Sequence, residues 1–256
     1  MADGGARRLE GAPIADEIRT AVAEDVASFT TANGRPPVLA VVIVGRDAPS
    51  TVYLERILKG CAKVGIEAAF VELEGEATEA AVVDTIRTLN ADPATAHAAV
   101  EILRRSGVEI AGRDAVVIGR SAVVGMPAAF LLVREDATVT VCHSRTRDLA
   151  THVARADIVV VAAGHPGLIT GAMLKPGAVV VDVGINLVEG KIVGDVDFES
   201  ASRVASAITP VPGGVGPLTN ALLLTHLIRA AERQADARRD TTRPPVTAAA
   251  SSRGDR

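Results

Sequence analysis

The chain has 256 residues, is 48% hydrophobic and carries a formal net charge of −4, which suffices for one large domain or two small ones with genuine cores. This mild acidity argues against a nucleic-acid partner, since basic residues gather only in the tail. Its two cysteines, Cys61 and Cys142, lie in apolar patterns without metal-ligand spacing, the sequence holds no apolar run of membrane-spanning length, and no signal peptide is expected. A cytoplasmic protein with reduced thiols, no metal, no nucleic acid and no membrane association is therefore expected.

In chain order, residues 1–8 read as a frayed start. From Gly11 onward Ile14, Ile18, Val22 and Val26 recur every four residues, predicting an amphipathic helix to about Phe29, broken by Asn33-Gly34-Arg35-Pro36-Pro37. Val38 to Val44 is a continuous apolar run, a buried strand. A helix from Pro49 to Lys63, a strand from Ile66 to Leu73 and a helix over 78–89 complete a β-α-β-α order, which implies parallel strands with crossover helices. After Asn90-Ala91-Asp92-Pro93 a new helical pattern begins at once and runs to Ser106-Gly107. Two helices meet there with no strand between them.

The second half is organised around Asp114-Ala-Val-Val-Ile-Gly119-Arg120-Ser121-Ala-Val-Val-Gly125-Met-Pro127. A buried strand, a turn of small residues and a helix start make a diphosphate site, because the backbone approaches the oxygens and the helix end offers N–H groups. Ser121 stands where the second glycine of the common dinucleotide fingerprint would be. A plain structural turn is the competing reading. Strands at 115–118, 138–142, 158–162 and 178–183, with helices near 125–134, 148–155 and 171–174, give a Rossmann-like plan. The second of these strands ends at Cys142-His143-Ser144-Arg145, where an NAD-binding domain usually carries an acid for the ribose hydroxyl. Ser144, Arg145 and Arg120 suit a 2′-phosphate instead, which favours NADP; the alternative is that these arginines are solvated surface charges. His143 reads as a solvated loop histidine, and His97, His152, His165 and His226 show no ligand spacing.

A hairpin near Asn186–Val193 and a short strand near Ala207-Ile208 precede Thr209-Pro210-Val-Pro212-Gly213-Gly214-Val215-Gly216-Pro217. This run fixes a rigid, irregular path that brings main chain close to a ligand or makes a stiff turn. A helix at 218–231 follows, and beyond Gln234 a disordered tail is expected. Asp195 and Asp197 read as turn aspartates.

These motifs resemble the methylenetetrahydrofolate dehydrogenase/methenyltetrahydrofolate cyclohydrolase (FolD) family from Leu9 to about Ala231. The resemblance rests on Gly119-Arg-Ser121 with Val124-Gly125-x-Pro127, Cys142-His-Ser144, Asp182-Val-Gly184-Ile185-Asn186, Gly194-Asp195-Val-Asp197 and the Pro210–Pro217 run. It implies a two-domain α/β enzyme, usually a homodimer, of one-carbon metabolism and purine biosynthesis. It further implies NADP contacted by Gly119, Arg120, Ser121, Ser144 and Ile185, tetrahydrofolate derivatives held at Tyr53, Pro212, Gly213 and Gly214, and Tyr53 as a catalytic residue. The implied division is a shortened folate-binding domain at 1–107, a Rossmann-like domain at 108–208, the substrate loop and a helix returning onto the first domain at 209–233, and a tail at 234–256.

The chain departs from the family pattern twice. The family's Ser-x-x-Tyr-x-x-x-Lys sets tyrosine and lysine one helical turn apart; here Ser50-Thr-Val-Tyr53-Leu-Glu-Arg56-Ile57 keeps the tyrosine and replaces the lysine with isoleucine. Lys59 lies about 200° further round the helix, and Arg56, closer in angle, is a poor acid–base group. Several dozen residues after Asp92 are also absent, with the strand, glutamine and pterin-gripping aspartate that the family carries there. Two readings follow: a dehydrogenase with an impaired cyclohydrolase step, or a non-catalytic NADP-binding paralogue.

Overall fold

Short β-branched runs alternating with helical patterns bury both kinds of surface in a parallel sheet flanked by helices. The computed structural model describes residues 5–44, 48–73 and 94–242 and adopts this arrangement. After β1 (Arg7–Arg8), the first unit holds α1 (Gly11–Asn33), β2 (Val38–Val44), α2 (Ala48–Val64), β3 (Glu67–Leu73) and α3 (Ala94–Arg105). β2 and β3 pair in parallel, from Val38 opposite Glu67 to Val44 opposite Leu73. Gly34 stops α1 in the left-handed region at φ 73°, its N–H reaching Thr30 O at 2.8 Å. The expected helix at 78–89 and the link through Pro93 lie outside the described residues.

The second unit runs β4 (Asp114–Ile118), α4 (Gly125–Arg134), β5 (Thr138–Cys142), α5 (Leu149–Val153), β6 (Ile158–Val161) and a 3-10 turn at Gly171–Met173. It continues with β7 (Val179–Asp182), the hairpin β8 (Asn186–Val188) and β9 (Lys191–Val193), α6 (Phe198–Ala201), β10 (Ala207–Ile208) and α7 (Val215–Thr242). Six parallel strands lie in the order β1-β10-β7-β6-β4-β5. The order reverses at β4, which lies between β5 and β6, so ligands are expected at the carboxyl ends of β4 and β6.

Both faces of this sheet are covered. Ala115, Val117, Ile158 and Val160 point into one apolar cluster, and Val116, Ile118, Val159 and Val161 into the other, the alternation that the strand period requires. The first cluster continues into Val22 of α1, Ile102 and Leu103 of α3, and Leu218, Leu224 and Ile228 of α7. α7 packs on α1, α2 and α3, so the last helix returns to the first unit as expected. Where α3 meets α7, His97 Nδ1 and His226 Nε2 stand 3.1 Å apart. Cys61 and Cys142 are buried, and desolvation pushes both thiols up, as befits core residues.

Two expectations are corrected. The opening residues are not simply frayed: Arg7 N–H donates to Ser206 O at 3.0 Å and Leu9 N–H to Ile208 O at 2.9 Å, with Leu9 buried. An apolar anchor at position 9 and the unpaired edge of β10 outweigh the polar composition. Nor does order end at Gln234, since α7 continues to Thr242. Alanine and arginine are strong helix formers, and the stretch 235–242 contains no proline or glycine. The part of the tail at 243–256 lies outside the described residues. No described helix is long and apolar enough to cross a membrane.

Candidate active site

The turn after β4 is shaped by close backbone approaches. Gly119 has φ 122°, and a Cβ there would lie 2.2 Å from Ala162 O, just past β6. A Cβ on Gly125 would lie 2.2 Å from Gly119 O. Both glycines therefore let the turn nest between β6 and the start of α4. The donors differ from the expectation that the helix end supplies them. Ser121 Oγ accepts the N–H groups of Val124 and Gly125 at 3.1 and 3.4 Å, Ser121 O accepts that of Met126, and Pro127 has none. The backbone N–H groups of Arg120 to Val123 make no hydrogen bond to a described residue, so the turn, rather than the helix, faces a ligand with donors.

Register brings the next candidates to the same edge, because Ile118 lies opposite Cys142. The loop that follows is internally tied: Thr146 Oγ1 accepts the His143 N–H at 2.9 Å, and His143 Nδ1 accepts the Arg145 N–H at 3.1 Å. With Nδ1 acting as acceptor, neutral His143 carries its proton on Nε2. It thus shapes the loop instead of standing free in solvent. Ser144, Arg145 and Arg120 are exposed, which leaves a hydroxyl and two guanidinium groups available to an anion at this edge.

Beyond β7 lies a cavity of about 540 Å³, lined among others by Arg56, Asp182, Ile185, Ile192 and the whole of Pro210–Pro217. Ile185 is 72% exposed, an apolar surface presented at the opening. The proline–glycine run is locked from both sides. Gly214 N–H donates to Pro210 O at 2.8 Å, and Gly11 N–H, at the start of α1, donates to Gly213 O at 3.0 Å. A Cβ on Gly11 would fall 2.0 Å from Gly214 O, so the first turn of α1 must be bare to receive the loop. The Val211–Pro212 bond is cis. Thr209 is buried, and its Oγ1 accepts the Asp182 N–H at 2.7 Å, joining the loop to β7.

α2 supplies the opposite side. Tyr53 lies on this helix, with its side chain outside the described residues. Ile57, one turn on, is partly buried against the main core, whereas Arg56 lines the cavity. Lys59 is exposed and paired with Glu55 at 3.5 Å, facing elsewhere as its position on the helix predicts. The structure thus places Gly119, Arg120, Ser121 and Ser144 at one edge. Ile185 and Pro212 to Gly214 line the cavity beside it.

Sequence reading gave Asp182 and Thr209 no role in the site and took Asp195, like Asp197, for a turn residue. Asp197 is the turn aspartate expected, accepting the Ser200 N–H at 3.4 Å. Asp195 is not: it is wholly buried, and Oδ2 accepts the N–H groups of Ala163 and Gly164 at 2.6 and 2.8 Å. Burial, opposed by backbone N–H donors and reinforced by the nearby Asp195 charge, pushes the Asp182 carboxyl up to about 6. The spacing Asp182-x-Gly184 with Gly194-Asp195 was the available signal.

Comparison with known proteins bears on this cleft. Residues 9–100 match the catalytic domain of the tetrahydrofolate dehydrogenase/cyclohydrolase family, and residues 93–235 its NAD(P)-binding domain. The bifunctional protein FolD of Bordetella petrii is 41% identical over 285 residues, covering 91% of this chain and 97% of that protein. That of a Roseiflexus species is 42% identical over 277 residues, covering 88% and 96%. The FolD crystal structure from Campylobacter jejuni superposes with TM-score 0.84 at 33% identity, covering 90% of this chain and 99% of that one. The Trypanosoma brucei FolD, solved with NADP cofactor and inhibitor, gives 0.83 at 34%, covering 90% and 99%. An alignment of 285 residues exceeds the 256 of this chain, so the Bordetella protein carries residues absent here, in keeping with the internal loss read from the sequence. The chain belongs to the tetrahydrofolate dehydrogenase/cyclohydrolase family.

Proposed function

We propose that this chain is an NADP-dependent 5,10-methylenetetrahydrofolate dehydrogenase in which the 5,10-methenyltetrahydrofolate cyclohydrolase step is impaired. The observation that carries this reading is the cavity of about 540 Å³ between Ile185 and the proline–glycine loop, beside the glycine turn at the carboxyl end of the sheet. The turn fits a dinucleotide, since its Arg120–Val123 N–H groups point to no described partner and suit a diphosphate. Arg120, Ser144 and Arg145 suit the 2′-phosphate of NADP. Bound NADP⁺ would supply the hydride acceptor.

The protein's own part is orientation. Ile185 and the Pro212–Val215 wall would hold the pterin beside the cofactor, and their apolar surfaces would exclude water during hydride transfer. Loss of hydride with its electron pair leaves the 5,10-methenyl cation. Hydrolysis adds water to the cationic carbon and releases one proton, giving the 10-formyl product. That proton needs an acceptor of suitable pKa; Ile57 has none to offer, and a guanidinium such as that of Arg56 is a poor acid–base group.

On this reading the enzyme serves one-carbon metabolism and purine biosynthesis in the cytoplasm, and works as a homodimer. The exposed apolar residues Val123, Met126, Phe130 and Val133 at α4 are the surface we assign to self-association. The domain limits follow the same plan, with folate binding at 1–107, NADP binding at 108–208 and the substrate loop and return helix at 209–233. Titration with NADP⁺, then tetrahydrofolate, followed by a spectrophotometric dehydrogenase assay, tests the activity. Binding of both with turnover is expected. NADP⁺ binding without folate binding would leave a nucleotide-binding paralogue and end the enzyme reading. Light scattering that returns a monomer mass would end the dimer.

A further inference from the structure

Beneath the cavity two carboxylates are buried side by side. Asp182 is 3% exposed and Asp195 0%, and neither has an ion pair with a described lysine or arginine. Each is satisfied by N–H donors instead. Asp182 Oδ1 accepts from Gly184 N at 2.9 Å and Asp195 N at 3.0 Å, and Oδ2 from Val196 N at 2.9 Å. Asp195 Oδ2 accepts from Ala163 N and Gly164 N, and Oδ1 from Asn186 Nδ2 at 2.8 Å.

The glycines beside them are fitted to these groups. A Cβ on Gly184 would lie 2.4 Å from Asp195 Cγ, and one on Gly194 would lie 1.9 Å from Asp182 Oδ2. Burying two like charges is a poor way to gain stability, since apolar residues of equal volume usually do as well or better. It is a good way to fix loops, because a carboxylate with three oriented donors tolerates little displacement. The loops concerned are Ala163-Gly164 after β6, Gly184–Asn186 after β7 and the return of the hairpin at Asp195-Val196. Through Asp182 N–H and Thr209 Oγ1 the same unit holds the start of the proline–glycine loop. Asp182, Gly184, Ile185 and Pro210–Val215 all line the cavity above it.

We propose that Asp195 and Asp182 are positioning residues for the hydride-transfer cleft: a paired-carboxylate clamp that sets the separation between Ile185 and the proline–glycine loop. The role rests on the NADP-dependent reading above. The clamp acts through the backbone it holds, so it governs how well NADP⁺ and folate are aligned as well as whether the domain is stable.

The test exchanges donor and acceptor within the clamp. Asn186→Asp alone sets a third carboxylate against Asp195, with no donor between them. It should raise KM for NADP⁺ about tenfold and lower kcat, measured well below its melting temperature. In the double variant Asp195→Asn/Asn186→Asp, the new amide oxygen can still accept from Ala163 and Gly164, while its NH₂ donates to the new carboxylate. KM and kcat should return to within about threefold of wild type. A folded Asn186→Asp enzyme with wild-type KM and kcat, whatever its melting temperature, would overturn the clamp. So would a folded double variant with KM still raised tenfold. Should Asn186→Asp not fold, the double variant decides alone by the same measure. A wild-type chain that binds no NADP⁺ would sink the underlying reading and the clamp's role with it; wild-type binding with the failures just described would sink the clamp only.

Discussion

The two walls of the cleft are built from different materials. The wall from the second unit is mostly backbone: the Gly119 turn, Gly184-Ile185 and the Pro210–Pro217 run, held by N–H donors and buried carboxylates. The wall from the first unit is a side chain on α2: Arg56 lines the cavity, while Ile57 packs into the core. A backbone wall needs particular residues at several points, since Gly119, Gly184 and Gly214 are each fixed by an approach that no side chain allows. A side-chain wall can lose its chemistry through one replacement and leave the fold undisturbed. The contrast explains how a chain can keep its nucleotide motifs intact and still lack the lysine.

The hardest blow to this contrast would come at Gly119. Gly119→Ala should cost more than about 4 kcal/mol, because a positive φ and a 2.2 Å approach to Ala162 O both oppose a methyl group; urea denaturation reads it, and a loss under 1 kcal/mol would break the idea of a backbone-fixed wall. Next is the pH dependence of the Asp182 carboxyl. Its folded value, about 6 against an ordinary 3.8, means that the folded chain binds this proton more tightly than the unfolded one. The corresponding stability is fully present below about pH 4, falls as pH rises through 6 and is flat above, by roughly 2–3 kcal/mol. Asp157, held low by its hydrogen bond to Lys175, acts in the opposite sense. Comparing melting curves of wild type and Asp182→Asn across this range isolates the term; identical profiles would refute it.

On the α2 side, Ile57→Lys should raise cyclohydrolase turnover on the order of 100-fold, the usual gain from a positioned proton-transfer group, and leave dehydrogenase turnover within about twofold. No gain would mean that the residues lost after Asp92, and not the lysine, are limiting. The smallest effect is expected at the exposed edge. Arg145→Ala should weaken NADP⁺ about tenfold with little change for NAD⁺, since it removes one charge-assisted contact to the 2′-phosphate. Equal loss for both nucleotides would remove Arg145 from that role.

Much of the fold was legible because period and punctuation agree. The four-residue recurrence from Ile14 to Val26 and the Asn33-Gly34 break predicted α1, and the run from Ala115 to Ile118 with its closing glycine predicted β4 and its turn. Other features could not be read locally. β1 owes its existence to the edge of β10, almost the whole chain away, and two arginines carry no strand signal. Ser121 looked like a lapse from a glycine fingerprint, yet its hydroxyl satisfies the first N–H groups of α4 and leaves the turn as the donor surface. Asp195 looked like a turn residue because burial is not written in a dipeptide; only the fold shows that its neighbours in space are Ala163 and Asn186. Side-chain-built Ile57 was legible only through resemblance to relatives that carry lysine there.

The pairing of Arg7 with Ala207 and of Arg8 with Ile208 has a consequence for biosynthesis. This edge segment of the cofactor-side sheet leaves the ribosome well before its hydrogen-bonding partner, which follows 200 residues later, at 207–208. During translation residues 7–8 therefore wait beside a nascent chain whose sheet edge does not yet exist, and this pairing closes only once residues 207–208 have emerged. A restraint placed on those residues would then be felt 200 residues further along the chain, in the strand that leads into the proline–glycine loop.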